Sequence, residues 1–279
     1  MTDNGLTSSH AADGWLEIDT SVAHVARVDD YLLGGNANFP VDREAAERAY
    51  AARPGGLDGV RADARADRAL VGRVVRYLAR DAAIHQFLDI STGIPKEENT
   101  HEVAQRVAPE ARIVHIDYDP IVVGHAHKLV TSTPEGACAY GDLRNPQTIP
   151  GKATGTLDLG KPVAAVLLGV LHFFADAEHP HATVARLADA LAPGSYLAIS
   201  HLASDVHGDA LAETFDRLNP QMSESVTLRT QAEVARFFEG MDLVDPGVVQ
   251  LPQWRPDSGV GPVPTVRPLP MWCAVGRKR

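Results

Sequence analysis

"FLDISTGIP", residues 87 to 95, decides how this chain is read. An apolar run stops at Asp89 and gives way to a turn with one glycine, Gly93, before a helical stretch that begins near Asn99. Strand, turn and helix in that order make the first half of a βαβ unit, and open α/β sheets bind ligands beyond the carboxyl ends of such strands. Gly93 removes a side chain where backbone must turn sharply or lie against a ligand, and the helix N-terminus beyond it favours an anionic group. Asn99 and Glu102 have the spacing of a capping-box variant. One glycine between a strand and a helix is common in α/β proteins, so the weight falls on what surrounds it.

Downstream, short apolar runs alternate with helical stretches, which predicts a mostly parallel sheet. Seven candidate strands stand out: "QFLDI", "RIVHID", "ACAYG", "PVAAVLL", "SYLAISH", "DLVDPGVVQL" and "PMWCAVG". Helices are predicted over 99–107, 120–131, 179–192, 205–218 and 230–239. The last two strands are joined only by the Pro-rich loop "PQWRPDSGVGPVPTVRP", and strands joined by loop alone can pair antiparallel, so the sheet is expected to end in a reversed strand.

Asp117 ends the second strand, where a carboxylate can accept both hydroxyls of a ribose. Asp119 stands before Pro120 and reads as the cap of the next helix. Asp142 follows Gly141 at the tip of the third strand and can accept from an exocyclic amine such as that of adenine. Three aspartates at successive strand tips point to a ribonucleoside cofactor. The turn after Asp89 lacks the G-x-G-x-x-G that cradles a pyrophosphate, and the chain has no G-x-x-x-x-G-K-[ST] loop.

The 279 residues carry 26 basic and 36 acidic side chains, a net charge of −10, which opposes general affinity for nucleic acid or anionic membranes. Cys138 and Cys273, the two cysteines, suit neither a disulfide framework nor a zinc motif, and a cytoplasmic location is expected. No apolar run is long enough to span a membrane. His125 and His127 are two apart on a predicted helix, and no metal site is expected.

Residues 1–14 are polar and read as a disordered start, 15–84 as an N-terminal helical lid, and 85–279 as the cofactor-binding domain. Within the lid, "LLGGNANFP" and "RPGGLDG" break helical stretches. A long helix is predicted over 61–80, with its arginines on a solvated face.

"FLDISTGIP", "IVHIDYDPIVVGHA", "YGDLRNP", "VLLGVLHFF" and "LAPGSYLAIS" resemble the successive motifs of class I S-adenosylmethionine-dependent methyltransferases. "ARVDDYLLGGNANFPVDREAAERA" resembles, more narrowly, a family of methyltransferases of unassigned substrate with an Arg-Val/Tyr-x-Asp-Tyr-x-Leu-Gly-Gly signature. The resemblance implies a Rossmann-like α/β fold with a seven-stranded, mostly parallel sheet and an antiparallel last strand. It implies S-adenosyl-L-methionine as cofactor and a small-molecule acceptor, with oligomeric state left open. Carried over by position, Asp89, Ser91, Thr92 and Gly93 form the first loop, Gly93 beside the methionine part. Asp117 holds the ribose with Tyr118 following it, Asp142 and Leu143 flank the adenine, and Gly169 offers backbone to the amino group. Ser91 stands where the family carries its first loop glycine, and fits if its φ stays negative or if strain is tolerated.

Methyl transfer from a sulfonium asks the protein chiefly to position reactants and exclude water. Where the acceptor is a hydroxyl, His172 is the candidate base, with His201 second; a structural histidine is the alternative. Tyr31, Gly34 and Gly35 are expected in the lid over the cofactor, Tyr31 covering the sulfonium or meeting the acceptor. The alternative there is a helix ended by Gly34 in a left-handed cap, with Tyr31 as packing. Phe39, Phe173, Phe174 and Trp254 are candidate walls of an acceptor pocket. Two other functions stay open: a protein that binds S-adenosylmethionine without turnover, and a nicotinamide-dependent oxidoreductase.

Overall fold

Gln86–Ile90 forms strand β1, buried through its last four residues. The computed structural model describes residues 10–11, 14–15, 19–51, 53, 55–96, 98–130, 135–206, 209–256 and 268–279. The expectation for residues 1–14 therefore falls largely outside the described residues; His10–Ala11 and Gly14–Trp15 form a two-residue antiparallel ladder.

Strands β2 (Arg112–Asp117), β3 (Gly136–Tyr140), β4 (Ala164–Leu168) and β5 (Tyr196–Leu202) join β1 in parallel in the order β3-β2-β1-β4-β5. Strand order reverses between β1 and β4, and that reversal opens a crevice at their carboxyl ends. The stretch 242–251, expected to be one strand, is two: β6 (Met241–Leu243) and β7 (Val249–Gln250). Pro246 has no N–H for a ladder, and Gly247 turns the chain at φ 84 with its N–H bonded to the Val244 carbonyl. The final strand β8 (Met271–Lys278) runs antiparallel to β5 and takes β6 and β7 as antiparallel partners. The expected reversed strand therefore lies inside the sheet. Among the described residues the sheet has eight strands where the sequence suggested seven.

Side chains alternate across the sheet, as the period of two requires. Phe87, Ile113 and Val275 join one apolar cluster, with Leu70, Val74 and Leu78 from helix α3 (Gly56–Arg80) and Val103 from helix α4 (Thr100–Val107). Leu88, Ile90, Val114 and Ile116 join a second on the other face, with Val184 and Leu187 from helix α7 (Pro180–Asp189). Between these lie α5 (Pro120–Val130) and the short α6 (Ile149–Ala153); α8 (Asp209–Leu218) and α9 (Gln231–Ala235) follow β5. Asp119 Oδ1 accepts the Ile121 N–H and caps α5, and the Glu102 carboxylate accepts the Asn99 N–H at the start of α4.

The N-terminal segment supplies α1 (Val25–Leu32), α2 (Pro40–Tyr50) and the first part of α3. Val28, Leu32, Ala46, Tyr50 and Val60 pack with Leu211, Phe215 and Leu218 of α8 in a third apolar cluster. Helix α3 spans both bodies, since its later residues lie in the core beneath the sheet. Its arginines are not all solvated: the Arg68 guanidinium donates to Asn99 Oδ1 at 2.7 Å.

Two backbone requirements fix the loop after β1. Ser91 adopts φ 58, the left-handed region, while its N–H bonds to the Ile116 carbonyl at 2.7 Å. A non-glycine residue there carries roughly 1–2 kcal/mol of strain. The second requirement comes from α1. Asp30 Oδ1 accepts from Lys96 Nζ at 2.5 Å, and Oδ2 accepts from Ala37 N and Asn38 Nδ2. A Cβ on Gly35 would stand 2.0 Å from Asp30 Oδ1 and 2.6 Å from Lys96 Nζ, so the second glycine of "LGG" is what lets the ion pair form. Gly34, at φ 80, ends α1.

Urea unfolding should rank Ser91→Gly above Ser91→Val by at least ~1 kcal/mol, because a β-branched residue tolerates positive φ worst. Equal midpoints would mean that the turn relaxes. Gly35→Ala should cost about 2–4 kcal/mol by breaking a buried ion pair; a loss below ~0.5 kcal/mol would show that the pair is dispensable.

Candidate functional site

The crevice between β1 and β4 opens into a cavity of ≈ 250 Å³, floored by the strand tips and roofed by α1, α3 and α8. Asp89, Ser91, Thr92, Gly93, Asp117, Tyr118, Asp142, Leu143, Gly169 and His172 all line it. The parallel register explains the convergence: Asp89 pairs with His115 and Asp117 with Tyr140, so successive strands end together.

Asp117 is buried, and its Oδ1 accepts the Asp119 N–H at 2.9 Å while Oδ2 accepts the Gly93 N–H at 3.2 Å. Burial pushes its carboxyl up to about 7, against the pull of those bonds. No cation is paired with it among the described residues, and its remaining lone pairs are open to further donors, hydroxyls among them. Gly93, at φ 66, has open space where a Cβ would stand, which leaves room for a ligand. Asp142 Oδ1 accepts the Arg144 N–H at 2.8 Å, and the Arg144 guanidinium reaches Glu178 and Glu224 at 2.8 and 2.9 Å, anchoring this tip.

Asp89 is otherwise engaged. Its Oδ2 accepts the Thr92 hydroxyl at 2.7 Å and lies 3.1 Å from His115 Nδ1; His115 Nε2 stands 3.0 Å from His101 Nδ1. Burial would raise the Asp89 carboxyl, but His115, Thr92 and Thr100 outweigh it and hold it below its usual range. Asp89 thus shapes the loop from behind.

Gly169 adopts φ 73, and its N–H donates to Ser200 Oγ at 2.8 Å; Ser200 in turn donates to Asp67 Oδ1 at 2.9 Å. Asp67 lines the cavity beside Gly169, and burial raises its carboxyl to about 6. Asp29, on α1, also lines the cavity and is raised to about 6 by burial and by the charge of Asp67. The sequence reading missed Asp29, Asp67, Arg68, His24 and Glu224, all on the cavity wall. Asp67 and Arg68 sit in a helix rich in alternating charge, which hides them, and no local spacing marks them. Tyr118 was read as a residue following the ribose carboxylate; its hydroxyl stands 2.9 Å from His24 Nε2, tying the β2 tip to α1.

His172 is buried, its Nδ1 has no hydrogen-bond partner among the described residues, and burial holds its ring well below the usual range, so it is neutral near pH 7. His201 lies off the cavity wall, between the Leu202 carbonyl and Arg229. The structure does not bring Tyr31, Gly34 or Gly35 to the cavity. The Tyr31 hydroxyl donates to Glu47 Oε1 at 2.7 Å, and Arg61 lies 5.4 Å over its ring. Phe173 and Phe174 line the wall, whereas Trp254 is fully buried in the core and Phe39 stands under Arg27. Among the described residues, no group of acidic, histidine or cysteine side chains could hold a metal ion, and no helix is long and apolar enough to cross a membrane.

Comparison with known proteins bears on this geometry. A crystal structure of a DUF574-family protein from Streptomyces avermitilis superposes with a TM-score of 0.84 at 39% identity, covering 94% of this chain and 99% of that one. A Thermobifida fusca protein superposes with a TM-score of 0.86 at 37% identity over 94% and 97% of the two chains. An S-adenosylmethionine-dependent methyltransferase from Anabaena variabilis, 13% identical, shares the fold with a TM-score of 0.54 over 78% of this chain and 86% of that one. No curated protein matches the chain. A family model described as S-adenosyl methyltransferase matches residues 12–279, and the chain belongs to that family.

Proposed function

We propose that this protein transfers a methyl group from S-adenosyl-L-methionine to a small molecule held under the N-terminal helices, with 85–279 as the catalytic domain, 15–84 as its lid and the cytoplasm as its place of work. The observation that carries the reading is Asp117: a buried carboxylate, free of any paired cation among the described residues, bonded to the backbone of the glycine loop and facing a cavity. Such a group suits two ribose hydroxyls. Asp142 and Leu143 would flank the adenine, with Tyr118 beside it, and Gly93 would leave space for the methionine arm. Asp67 and Arg68, adjacent on α3 and both on the wall, would offer opposite charges to that arm's ammonium and carboxylate.

When bound, the cofactor supplies an electrophilic methyl group. The chain's own residues orient it, exclude water and hold the acceptor. His172, neutral and on the wall, stands ready to accept a proton from a hydroxyl acceptor. The roofed cavity and the absence of a pyrophosphate loop count against a nicotinamide cofactor.

Titration calorimetry with S-adenosylhomocysteine tests this reading. Wild-type protein should bind it and not NAD, and Asp117→Ala should weaken binding about 30–100-fold, the worth of hydrogen bonds to a charged acceptor. Preference for NAD, or full affinity in Asp117→Ala, would overturn the assignment. A pH series adds a signed expectation. Because the free carboxyl titrates at about 7 and hydroxyl donors favour its charged form, binding should release a proton and tighten from pH 6 to pH 8. Asp117→Asn should flatten that dependence; an unchanged slope would remove Asp117 from the ligand.

A further inference from the structure

The cavity carries more negative charge than one sulfonium donor can balance. Around its wall, Asp63 pairs with Arg53 at 3.2 Å, Asp142 and Glu224 share Arg144, and Asp89 is held by Thr92 and His115. Asp117 suits hydroxyls. That leaves Asp67, Arg68 and Asp29. Asp67 and Arg68 would meet the ammonium and carboxylate of the donor's methionine arm, and the sulfonium's single charge is met by the excess of carboxylates around Arg144.

Asp29 remains over. Among the described residues no hydrogen bond or ion pair holds its carboxylate. Of the two cations whose charge reaches it, Lys96 is committed to Asp30 and Arg68 donates to Asn99. Asp29 is exposed, and it lines the cavity. An exposed carboxylate without a partner of its own is open to a charge-assisted hydrogen bond from an incoming cation. Asp67, Lys96, Arg68 and Asp30 are the charged groups that act on it, and the cavity it lines is otherwise largely apolar. Leu32 lies one turn along α1 on the same wall, and Phe215, Leu218, Met222 and Val226 complete the roof.

Resting on the methyl-transfer reading above, we propose that the acceptor is an amine with an apolar body, held as its ammonium by Asp29, which also takes the proton that must leave before nitrogen can react. The balance closes. The ammonium gives one proton to Asp29, and the freed lone pair forms the bond to the methyl carbon. The carbon–sulfur bond breaks with its pair going to sulfur, and the product nitrogen carries the positive charge the sulfonium has lost. No oxidant, metal or further reactant is required. An alcohol acceptor would leave Asp29 unbalanced, and a carboxylate acceptor would be repelled by it.

The test uses the full chain saturated with S-adenosylhomocysteine. 2-Phenylethylamine and hexylamine are titrated calorimetrically against their isosteres 2-phenylethanol and 1-hexanol. The amines should bind at least tenfold tighter than the alcohols. Asp29→Asn should erase that preference while S-adenosylhomocysteine affinity stays within threefold, and Asp29→Glu should restore part of it. Asp29 has no partner to lose, so the variants should keep the wild-type near-ultraviolet circular dichroism. Equal binding of alcohols and amines, no amine binding by a protein that still takes S-adenosylhomocysteine, or an amine preference that survives Asp29→Asn overturns the proposal and leaves the methyl-transfer reading standing. Failure of wild-type protein to bind S-adenosylhomocysteine would overturn that reading, and this proposal with it.

Discussion

The buried ion pair between Asp30 and Lys96 is the constraint on which the rest of the site depends. Asp30 belongs to α1 and Lys96 to the loop that follows β1, so one contact fixes the N-terminal helices to the loop at the tip of the central strand. Burying a charge costs several kcal/mol unless its remaining acceptor capacity is filled. Here it is filled, because the Ala37 N–H and the Asn38 amide reach the other Asp30 oxygen. The turn that delivers those donors needs Gly35, since any side chain there would occupy the place of the carboxylate. The paired glycines therefore act on the cofactor loop at one remove. They let the roof be bolted to it.

That arrangement sorts the acidic side chains into two kinds. Asp30, Asp42 and Asp89 are buried and fully partnered: Asp42 takes Arg27, His24 N and Phe39 N, and Asp89 takes Thr92 and His115. They set the shape of α1, α2 and the first loop. Asp117 is buried, Asp67 half-buried and Asp29 exposed, all three on the cavity wall and none in an ion pair among the described residues, and loss of solvation raises all three carboxyls. Carboxylates held in this way take up a proton or a ligand's donors more readily than free ones, which is how perturbed groups come to mark functional sites. Asp29 and Asp30 are neighbours in sequence, yet one is structural and the other faces the cavity, because successive helical residues point about 100° apart.

The parallel sheet was legible in the sequence because its signal is local. Apolar runs of strand length ended in aspartates, and helices began at Asn99 and Asp119 with recognisable caps. The convergence of Asp89, Asp117 and Asp142 followed from topology alone. What could not be read was which way a side chain faces when no repeat reports it. Tyr31 follows Asp30 in the signature and looked like a lid residue, but its place on α1 turns it toward Glu47 and Arg61. Arg68 looked like part of a solvated stripe, and nothing singled out Asp67 beside it. They reach the cavity because the earlier half of α3 leaves the core and crosses the strand tips. The break between β6 and β7 depends on Pro246 and Gly247, a turn signal embedded in an otherwise continuous apolar pattern.

Ser91 shows how the loop manages with one glycine fewer. Its left-handed conformation keeps the path that a glycine would take, and its N–H continues the hydrogen bonding of β1 to the Ile116 carbonyl. The strain is local and is opposed by what comes next. Thr92 is turned inward to bond Asp89, and Gly93 gives its N–H to Asp117, so residues on either side of the strained turn are tied to the tips of β1 and β2. A relaxed turn at Ser91 would move the Gly93 N–H off Asp117 and leave that carboxylate with one donor fewer inside the protein. Asp117 and the strained serine thus hold one another in place. The loop is preorganised by its backbone, and glycine count alone was a poor measure of its capacity to bind.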